Sequence, residues 1–297
     1  MTLVSPLFPA PDVSVVIPAR DEAQSIGALI AEIAEALSGI RHEIVVVDDG
    51  STDGTAARVA ELAGRMAQIR CLRHASSCGQ SAAIRTGVQA ARASIIATLD
   101  ADGQNPPAEL PRLVAPFLSA APDRTLGLVQ GQRVGRRDTG WKKIGSRLAN
   151  AIRGALLKDG VRDSGCGLKA FPREVYLMLP YFDHIHRFMP AMVQREGLRI
   201  VTVDVAHRPR MAGRSKYGNL QRALVGIVDL AGAAWLLRRR RLPRVEVVQP
   251  LAASPRNEEA KTLAFAAQGH RAPPDARAPG AESGLASETA RLNLTRP

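Results

Sequence analysis

Two aspartates near the middle of the chain are separated by a single residue and follow an apolar run. Residues 95–99 are rich in β-branched side chains and predict a buried strand, which stops at Asp100 and Asp102. Side chains two residues apart share a face of an extended chain, so these carboxylates can converge on one hard cation. The same residues also suit an Asx-rich turn that ends at Pro106 and Pro107. This stretch alone leaves both interpretations open.

Polar side chains also follow two earlier strands of the predicted sheet. Residues 13–17 predict a strand before Pro18 and Glu22, and residues 43–47 predict another before Asp49; both are mostly apolar and β-branched. Strands that are nearly continuous apolar runs, alternating with helices, predict an α/β fold with a mostly parallel sheet and helices on both faces. Ligands of such sheets bind beyond the carboxyl ends of the strands. We therefore expect the three polar clusters to share one rim.

The positive charge of the chain is concentrated in one block. The 297 residues carry a net charge of +12. Residues 133–242 contribute +15, whereas residues 1–132 contribute −4 and residues 243–297 contribute +1. Such a block attracts an anionic partner: nucleic acid, a phosphorylated substrate or an anionic membrane. Aromatic residues make up only 4% of the chain and no groove-binding motif is evident, which argues against nucleic acid.

The chain is expected to form one domain over residues 12–242, after a loose lead-in at 1–11 and before a disordered tail at 243–297. Its three cysteines have no metal-binding spacing, and their odd number fits a reducing compartment. The N-terminus lacks a signal-peptide pattern, and no apolar run approaches the roughly 20 residues that span a bilayer. A cytoplasmic location is therefore expected.

The last predicted element is an amphipathic helix over residues 220–237, followed by four arginines at 238–241. It could be a core helix with a solvated basic end. It could also lie in a membrane interface, with its apolar face on lipid and its arginines on anionic headgroups. Asp229 argues against a membrane-spanning helix, because burying a carboxylate in hydrocarbon is costly.

Four segments together resemble the family 2 glycosyltransferases, which have the Rossmann-like GT-A fold. They are VVIPARDE at 15–22, VVVDDGSTD at 45–53, GQSAA at 79–83 and DAD at 100–102. Three further segments are similar to the branch that glycosylates polyprenyl phosphates, such as dolichyl-phosphate mannose synthases and undecaprenyl-phosphate sugar transferases. They are DGQNPP at 102–107, DSGCG at 163–167 and GRSKY at 213–217. The resemblance covers about residues 12–240, and Ser77 stands where the family often has Asn.

The resemblance implies that residues 12–132 bind a nucleotide sugar. Asp49 would meet the nucleotide base, and Pro18 and Glu22 would line the same pocket. Asp100 would lie near the ribose or the diphosphate.

The metal site and the catalytic residues follow from the same resemblance. Asp102 and Gln104 would reach a divalent metal, Mg²⁺ or Mn²⁺, which would neutralise the departing nucleoside diphosphate as a Lewis acid. The residues expected to act in catalysis are Asp100, Asp102, Arg210 and Lys216.

Residues 133–242 would then hold the acceptor. A phosphate acceptor brings its own anionic oxygen, so the protein has to supply positive charge rather than a strong base. The residues that match the family's acceptor-phosphate positions are Arg133, Lys142, Ser146, Arg210 and Lys216. Arg147, Arg208 and Arg214 are basic neighbours that could substitute for one of them.

The expected function is a metal-dependent, inverting transfer of a sugar from a nucleotide donor to a polyprenyl phosphate at the cytoplasmic face of an anionic membrane. In one alternative the acceptor is a hydroxyl group of a glycan or glycolipid, and Asp163 or another carboxylate is its general base. With a phosphate acceptor, Asp163 would instead orient a basic side chain. A protein that binds nucleic acid without catalysis is a further alternative.

Overall fold

Seven strands form one mixed sheet in a computed structural model that describes residues 10–134, 153–209 and 219–241. For residues 219–224 only the backbone is described. The strands are β1 (Val13–Ala19), β2 (His42–Asp48), β3 (Ile69–Arg73), β4 (Ile95–Thr98), β5 (Leu126–Arg133), β6 (Lys169–Pro172) and β7 (Arg199–Val205). Their order across the sheet is β3-β2-β1-β4-β6-β5-β7.

Helices cover both faces of the sheet, as predicted. They are α1 (Ile26–Ala36), α2 (Thr55–Arg65), α3 (Gln80–Ala90), α4 (Leu110–Leu118), α5 (Arg173–Met178), α6 (Ile185–Arg195) and α7 (Asn219–Arg238), and residues 153–157 are also helical. One apolar core lies between the sheet and α1, α2 and α4. A second core lies between the opposite face and α3, α5, α6 and α7. Because apolar side chains are buried on both faces, the strands are the continuous apolar runs seen in the sequence.

The parallel part of the sheet aligns the polar clusters. Strand β1 pairs in parallel with β2 on one side and with β4 on the other, and β2 pairs in parallel with β3. Pro18 lies opposite Val47, and Val16 lies opposite Thr98. The carboxyl ends of β1, β2 and β4 therefore meet at the same edge of the sheet. The prediction that the three clusters share one rim is confirmed.

The short strand β6 was not predicted. It is antiparallel to both β4 and β5, between which it lies, and it pairs Lys169 with Thr98. The sequence predicts only a turn followed by apolar residues here, because four residues are too few to show a strand period. Since β6 starts where β4 ends, the turn at residues 163–168 also lies at the rim.

Helix α7 packs with one side on the second core and exposes apolar side chains on the other. Ala233 is buried, and Leu230 and Leu237 pack against the same core. Val228 on the outer side is 72% exposed and Trp235 is 57% exposed. Within the three described ranges, no helix is long and apolar enough to cross a membrane. The tail at 243–297, and the lead-in apart from residues 10 and 11, lie outside the described residues.

Candidate functional site

Glu22 lies in the loop after β1, next to the loop that carries the aspartate pair. Its backbone N–H donates to Thr55 Oγ1 at 2.9 Å. The Ser25 hydroxyl lies 2.9 Å from Glu22 Oε2 and 3.0 Å from the Ala101 carbonyl oxygen. Pro18 lies at the end of β1, just before the loop that carries Glu22. The structure thus brings Pro18, Glu22 and the loop after β4 to one corner of the rim.

The Asp49 carboxylate anchors the loop that precedes α3. It accepts hydrogen bonds from the backbone N–H groups of Cys78 at 2.7 Å and Gly79 at 2.9 Å. It also accepts from the Ser77 hydroxyl at 2.7 Å and lies 2.8 Å from His74 Nδ1. Although burial raises the pKa of Asp49, these hydrogen bonds outweigh burial and lower it overall. Asp49 is therefore ionised, and its hydrogen bonds hold residues 74–79 in place.

Asp49, His74 and Cys78 also form a group whose potential metal-ligating atoms all lie within 4.8 Å of one another. His74 is not among the site residues predicted from the sequence. Its Nδ1 is hydrogen-bonded to Asp49, and its Nε2 lies 3.0 Å from the Thr86 hydroxyl. This hydrogen-bond network accounts for the closeness of the three side chains.

Asp100 is held by amide donors from two sides. Gln80 Nε2 donates to Asp100 Oδ1 at 2.8 Å, and Asn105 Nδ2 donates to Asp100 Oδ2 at 3.2 Å. A Cβ atom at Gly167 would lie 2.4 Å from Asp100 Oδ2, so the carboxylate occupies space that only a glycine leaves open. The position of Asp100 is thus set by α3, by its own loop and by the turn before β6.

Asp102 and Gln104 lie in a loop that is fixed by Arg208. Asp102 is 9% exposed, and its Oδ1 accepts the Gln104 N–H at 3.1 Å. The Arg208 N–H donates to the Gln104 carbonyl at 3.1 Å, and its guanidinium binds the Gly103 carbonyl and Glu32 Oε2. Arg208 is one of the three neighbours that could substitute in binding phosphate. In the structure its guanidinium instead holds the aspartate loop against α1.

The aspartate pair fits a divalent cation. Burial and the charge of Asp102 raise the pKa of Asp100, and only part of this effect is offset by Lys169, Arg133 and Asn105. A carboxylate whose charge is disfavoured by burial and by a neighbouring carboxylate is stabilised by a nearby cation. Their oxygens are the ligands that Mg²⁺ and Mn²⁺ prefer, and a site with few protein ligands leaves positions for substrate phosphate oxygens.

Arg133 and Asp163 form a bidentate ion pair at the same rim. Arg133 Nε lies 2.6 Å from Asp163 Oδ2, and Nη2 lies 2.9 Å from Oδ1. Burial raises the pKa of Asp163, but the guanidinium outweighs it and the pKa is lowered overall. The pairing agrees with the expectation that Asp163 orients a basic side chain. The other residues expected to bind the acceptor phosphate lie outside the described residues; they are Lys142, Ser146, Arg210 and Lys216.

Lys169 is a site residue that the sequence analysis missed. It is 4% exposed, and its ammonium donates to the carbonyl oxygens of Ser164, at 3.1 Å, and Cys166. Burial lowers its pKa, whereas the nearby Asp100 and Asp163 charges raise it. A lysine at the start of an apolar run was the available signal. Its position beside Asp100 depends on β6, which was not predicted.

His186, at the start of α6, is half-buried, and its Nδ1 lies 2.7 Å from the Ser81 hydroxyl. Burial lowers its pKa well below the ordinary value, so it is neutral in the folded protein. As the pH falls below about 6.5, the unfolded chain binds a proton that the folded chain does not. We expect the free energy of unfolding to fall on acidification, by up to about 1.4 kcal/mol per pH unit from this residue.

Urea denaturation of the wild type and of His186→Gln between pH 7 and pH 5 measures this contribution. The variant should show a shallower pH dependence, since glutamine cannot take up the proton. His42→Gln is the comparison variant, at a half-buried histidine of β2 whose Nδ1 contacts the Ile40 carbonyl oxygen. Equal slopes for wild type and His186→Gln would contradict a neutral His186.

Known proteins are similar to this chain in sequence and in fold. The model of glycosyl transferase family 2 matches residues 14–177, more than half of the chain. A dodecaprenyl-phosphate galacturonate synthase of Rhizobium johnstonii is 34% identical over 238 residues, which are 78% of this chain and 69% of that protein. An undecaprenyl-phosphate 4-deoxy-4-formamido-L-arabinose transferase of Edwardsiella ictaluri is 34% identical over 209 residues, 69% of this chain and 63% of that protein. The chain thus spans less than two thirds of this second relative.

Solved structures confirm the expected GT-A fold. Glucosyl-3-phosphoglycerate synthase of Mycobacterium tuberculosis, crystallised with Mn²⁺, UDP and glucosyl-3-phosphoglycerate, has a TM-score of 0.60 at 22% identity and covers 76% of this chain and 80% of its own. Mannosyl-3-phosphoglycerate synthase of Rubrobacter xylanophilus has a TM-score of 0.59 at 18% identity and covers 81% of this chain and 79% of its own. At these identities the likeness concerns the fold. The family match and the relative from Rhizobium show that the chain belongs to glycosyl transferase family 2.

Proposed function

We propose that this chain transfers a sugar from a nucleotide-sugar donor to a polyprenyl phosphate and so forms a lipid-linked sugar phosphate. The observation that carries the proposal is the meeting of the Asp100–Asp102 pair with the Glu22 and Asp49 loops at one rim, beside the Arg133–Asp163 pair. Both curated relatives described above are named as enzymes that act on a polyprenyl phosphate.

In the proposed donor site, the loops after β1 and β2 hold the nucleotide. Asp49 orients residues 77–79 and, with Pro18 and Glu22, lines the pocket of the base. Asp100 lies on the side of the ribose and diphosphate, where Gln80 and Asn105 fix its carboxylate. These contacts hold the site in shape before the donor arrives, which reduces the entropy lost on binding.

Asp102 and Gln104 are the proposed holders of the divalent metal, and Asp100 adds a carboxylate next to them. When bound, Mg²⁺ or Mn²⁺ supplies Lewis-acid neutralisation of the leaving nucleoside diphosphate. The chain itself contributes rigidity, because Arg208 fastens the loop of Asp102 to Glu32 of α1. Solved neighbours that contain Mn²⁺ share the fold and are consistent with such a metal.

In the proposed acceptor site, positive charge replaces a general base. The acceptor phosphate oxygen attacks the anomeric carbon in line with the departing diphosphate, which inverts that carbon. Arg133, oriented by Asp163, is the described member of the acceptor set, which we extend to Lys142, Ser146, Arg210 and Lys216. A hydroxyl acceptor would instead need a base, and Asp163 is poorly suited because Arg133 lowers its pKa.

The test is a transfer assay with radiolabelled nucleotide sugars, undecaprenyl phosphate and Mn²⁺ or Mg²⁺, with the label scored in the organic phase. We expect label in lipid only when lipid phosphate is present. Undecaprenol, which offers a hydroxyl in place of the phosphate, is the matched control acceptor. Transfer to undecaprenol at the rate seen with the phosphate would contradict the proposed acceptor class.

We further propose that the outer side of α7 rests on the cytoplasmic face of an anionic membrane, from which the lipid acceptor is collected. Ile227, Val228 and Trp235 are exposed on this side. Arg238 and Arg239 follow at the C-terminal end of the helix. An apolar face beside arginines suits the boundary between acyl chains and anionic headgroups.

Liposome flotation tests the membrane surface. Wild-type protein should float with vesicles of phosphatidylglycerol and phosphatidylcholine, and Val228→Glu should weaken binding by about tenfold, because it removes a side chain whose burial contributes ~1.5 kcal/mol. Leu118→Glu on α4 is the control, since this exposed leucine lies away from α7 and its change should leave flotation intact. Failure of the wild type to bind anionic vesicles would refute the proposal.

A further inference from the structure

Helix α7 lies alongside α6 and is attached to both ends of it. The start of α6 contacts Asp229 in the middle of α7, and the end of α6 contacts the last turn of α7 at Leu236. Between these polar contacts, Met192 of α6 and Ala233 of α7 are buried in the second core. The order of the contacts shows that the two helices run in the same direction. Rotating α7 or sliding it along α6 would therefore break polar contacts as well as apolar packing.

Asp229 is the single acidic residue in the sequence of α7, and it faces α6 rather than solvent. Its side chain is 17% exposed, and its Oδ2 is hidden from solvent. This oxygen lies 2.9 Å from His184 Nδ1, the distance of an ion pair, although the angle is not that of a hydrogen bond. A carboxylate oxygen hidden from water is costly without a cation or a donor beside it, and an imidazole can be either. The His184 ring therefore fixes which side of α7 faces α6.

The His184 ring is held in position by its own turn. Its backbone has a φ of 61°, in the left-handed region that few residues other than glycine adopt. Its N–H donates to Asp183 Oδ1 at 2.8 Å, and its Nε2 lies 3.8 Å from Asp183 Oδ2. A residue is kept in such a conformation by its surroundings. The turn before α6 thus places the ring for its contact with Asp229.

The end of α6 makes the second attachment. Arg195 Nε donates to the Leu236 carbonyl, one of the last carbonyls of α7, at 3.1 Å. Glu196 binds Arg195, and its Oε2 lies 3.2 Å from Arg240 Nη2. The Arg240 side chain is only 15% exposed. Of the four arginines at 238–241, Arg240 is thus bound to the protein, where it helps to hold α7.

The start of α6 also reaches the rim. His186 lies two residues after His184, and its Nδ1 is 2.7 Å from the Ser81 hydroxyl on α3. Gln80, the neighbour of Ser81, donates to Asp100 Oδ1 at 2.8 Å. The same short segment therefore contacts α7 on one side and, on the other, the helix that fixes Asp100.

We propose that the His184–Asp229 contact positions the lipid acceptor, because it keeps the outer side of α7 in one orientation relative to Asp100. The inference rests on the proposed function, in which that outer side lies on an anionic membrane. Val228 precedes Asp229 in the chain and is 72% exposed on the outer side. A rotation of α7 that separated Asp229 from His184 would therefore also change how the protein sits on the membrane. His184 and Asp229 are positioning residues, since they act on the acceptor through α7.

The experiment compares two presentations of undecaprenyl phosphate to the full chain: in vesicles of phosphatidylglycerol and phosphatidylcholine, and in micelles of a neutral detergent. Asp229→Asn keeps the shape of the side chain and removes its charge. We expect it to raise the KM for the acceptor in vesicles by roughly tenfold, because a misdirected phosphate reaches the rim less often. The KM in micelles and both kcat values should stay close to those of the wild type, since a micelle does not hold the protein on one flat surface. Flotation with the same vesicles should be retained, because Val228 and Trp235 are unchanged.

Asp183→Asn is the matched control. It removes a carboxylate beside the same histidine, but this side chain is 63% exposed and belongs to the turn rather than to α7. The ratio of the two KM values should therefore stay unchanged.

His184→Asn removes the same contact from the other side, and asparagine tolerates the left-handed conformation. It should reproduce the effect of Asp229→Asn, and the double variant should show no further increase, because both changes remove one contact. Asp229→Glu keeps the charge and should bring the KM in vesicles back toward that of the wild type. Thermal unfolding checks each variant, and if Asp229→Asn does not fold, His184→Asn measures the same contact.

The outcomes distinguish the inference from the proposed function. Equal rises of KM in vesicles and micelles, or no rise in either, overturn the positioning role. Loss of flotation in Asp229→Asn overturns it as well, because the pair would then act in membrane attachment. A wild type that transfers the sugar but does not float refutes the membrane surface, and the inference falls with it. Absence of transfer to undecaprenyl phosphate in both presentations overturns the proposed function itself.

Discussion

Asp102→Asn is expected to lower sugar transfer by roughly 10³-fold while leaving the fold intact. Asparagine keeps the shape of the side chain and can still accept the Gln104 N–H, so the loop is preserved. It removes one negative charge from the proposed metal site. Metal stabilisation of a leaving group amounts to several kcal/mol, and each ~1.4 kcal/mol is tenfold in rate. Initial rates over a Mn²⁺ titration, with thermal unfolding alongside, measure the effect.

The matched control is Asp204→Asn on β7. It removes the same charge from an exposed ion pair that Asp204 forms with Arg162. An exposed pair of this kind contributes about 0–1 kcal/mol to stability, so transfer should be unaffected. Chelator treatment of the wild type should reproduce the loss seen in Asp102→Asn, and added Mn²⁺ should reverse it. Full activity in the presence of the chelator would rule out the assigned metal.

Gly167→Ala is expected to lower transfer by roughly 100-fold although it replaces no polar side chain. The added Cβ would lie 2.4 Å from Asp100 Oδ2 and 2.6 Å from its Cγ, distances that force the carboxylate to move. Moving it breaks the hydrogen bonds from Gln80 and Asn105. A displacement of about 1 Å at a reacting site can cost 10²-fold in rate. Comparison of kcat with the KM for the donor shows which step suffers.

Gly165→Ala, in the same turn, separates steric pressure on Asp100 from a general effect of alanine. A Cβ there would be 3.6 Å from Asp163 Oδ1, an ordinary contact, so activity should stay close to that of the wild type. Unfolding midpoints of both variants check the fold. Equal activity of the two variants would mean that the position of Asp100 does not limit the reaction.

The rim itself could be predicted because parallel strands impose it. The apolar, β-branched runs before Pro18, Asp49 and Asp100 can be recognised locally, and their parallel pairing brings their ends to one edge. The helices of both faces could also be predicted, because the periodicity of a helix depends only on near neighbours in the chain.

Side-chain pairing between distant segments could not be predicted in the same way. Arg208 looked available for phosphate, yet it binds Glu32, 176 residues away. Asp49 looked available for a nucleotide base, and its carboxylate also clamps the loop at residues 74–79. A charge pattern shows which residues are basic or acidic, but the partner of each is set by packing.

By itself, then, the sequence determined the family, the α/β architecture and the edge of the sheet at which the aspartate pair lies. The tertiary structure decided what surrounds that pair. The four-residue strand β6 inserts between β4 and β5 and places Lys169 and Gly167 against Asp100. Neither position could be inferred locally, because an antiparallel insertion of this length has no period and its energy comes from contacts far apart in the chain. The aspartates are recognisable from their spacing, whereas the glycine and the lysine that complete their site are recognisable only in the fold.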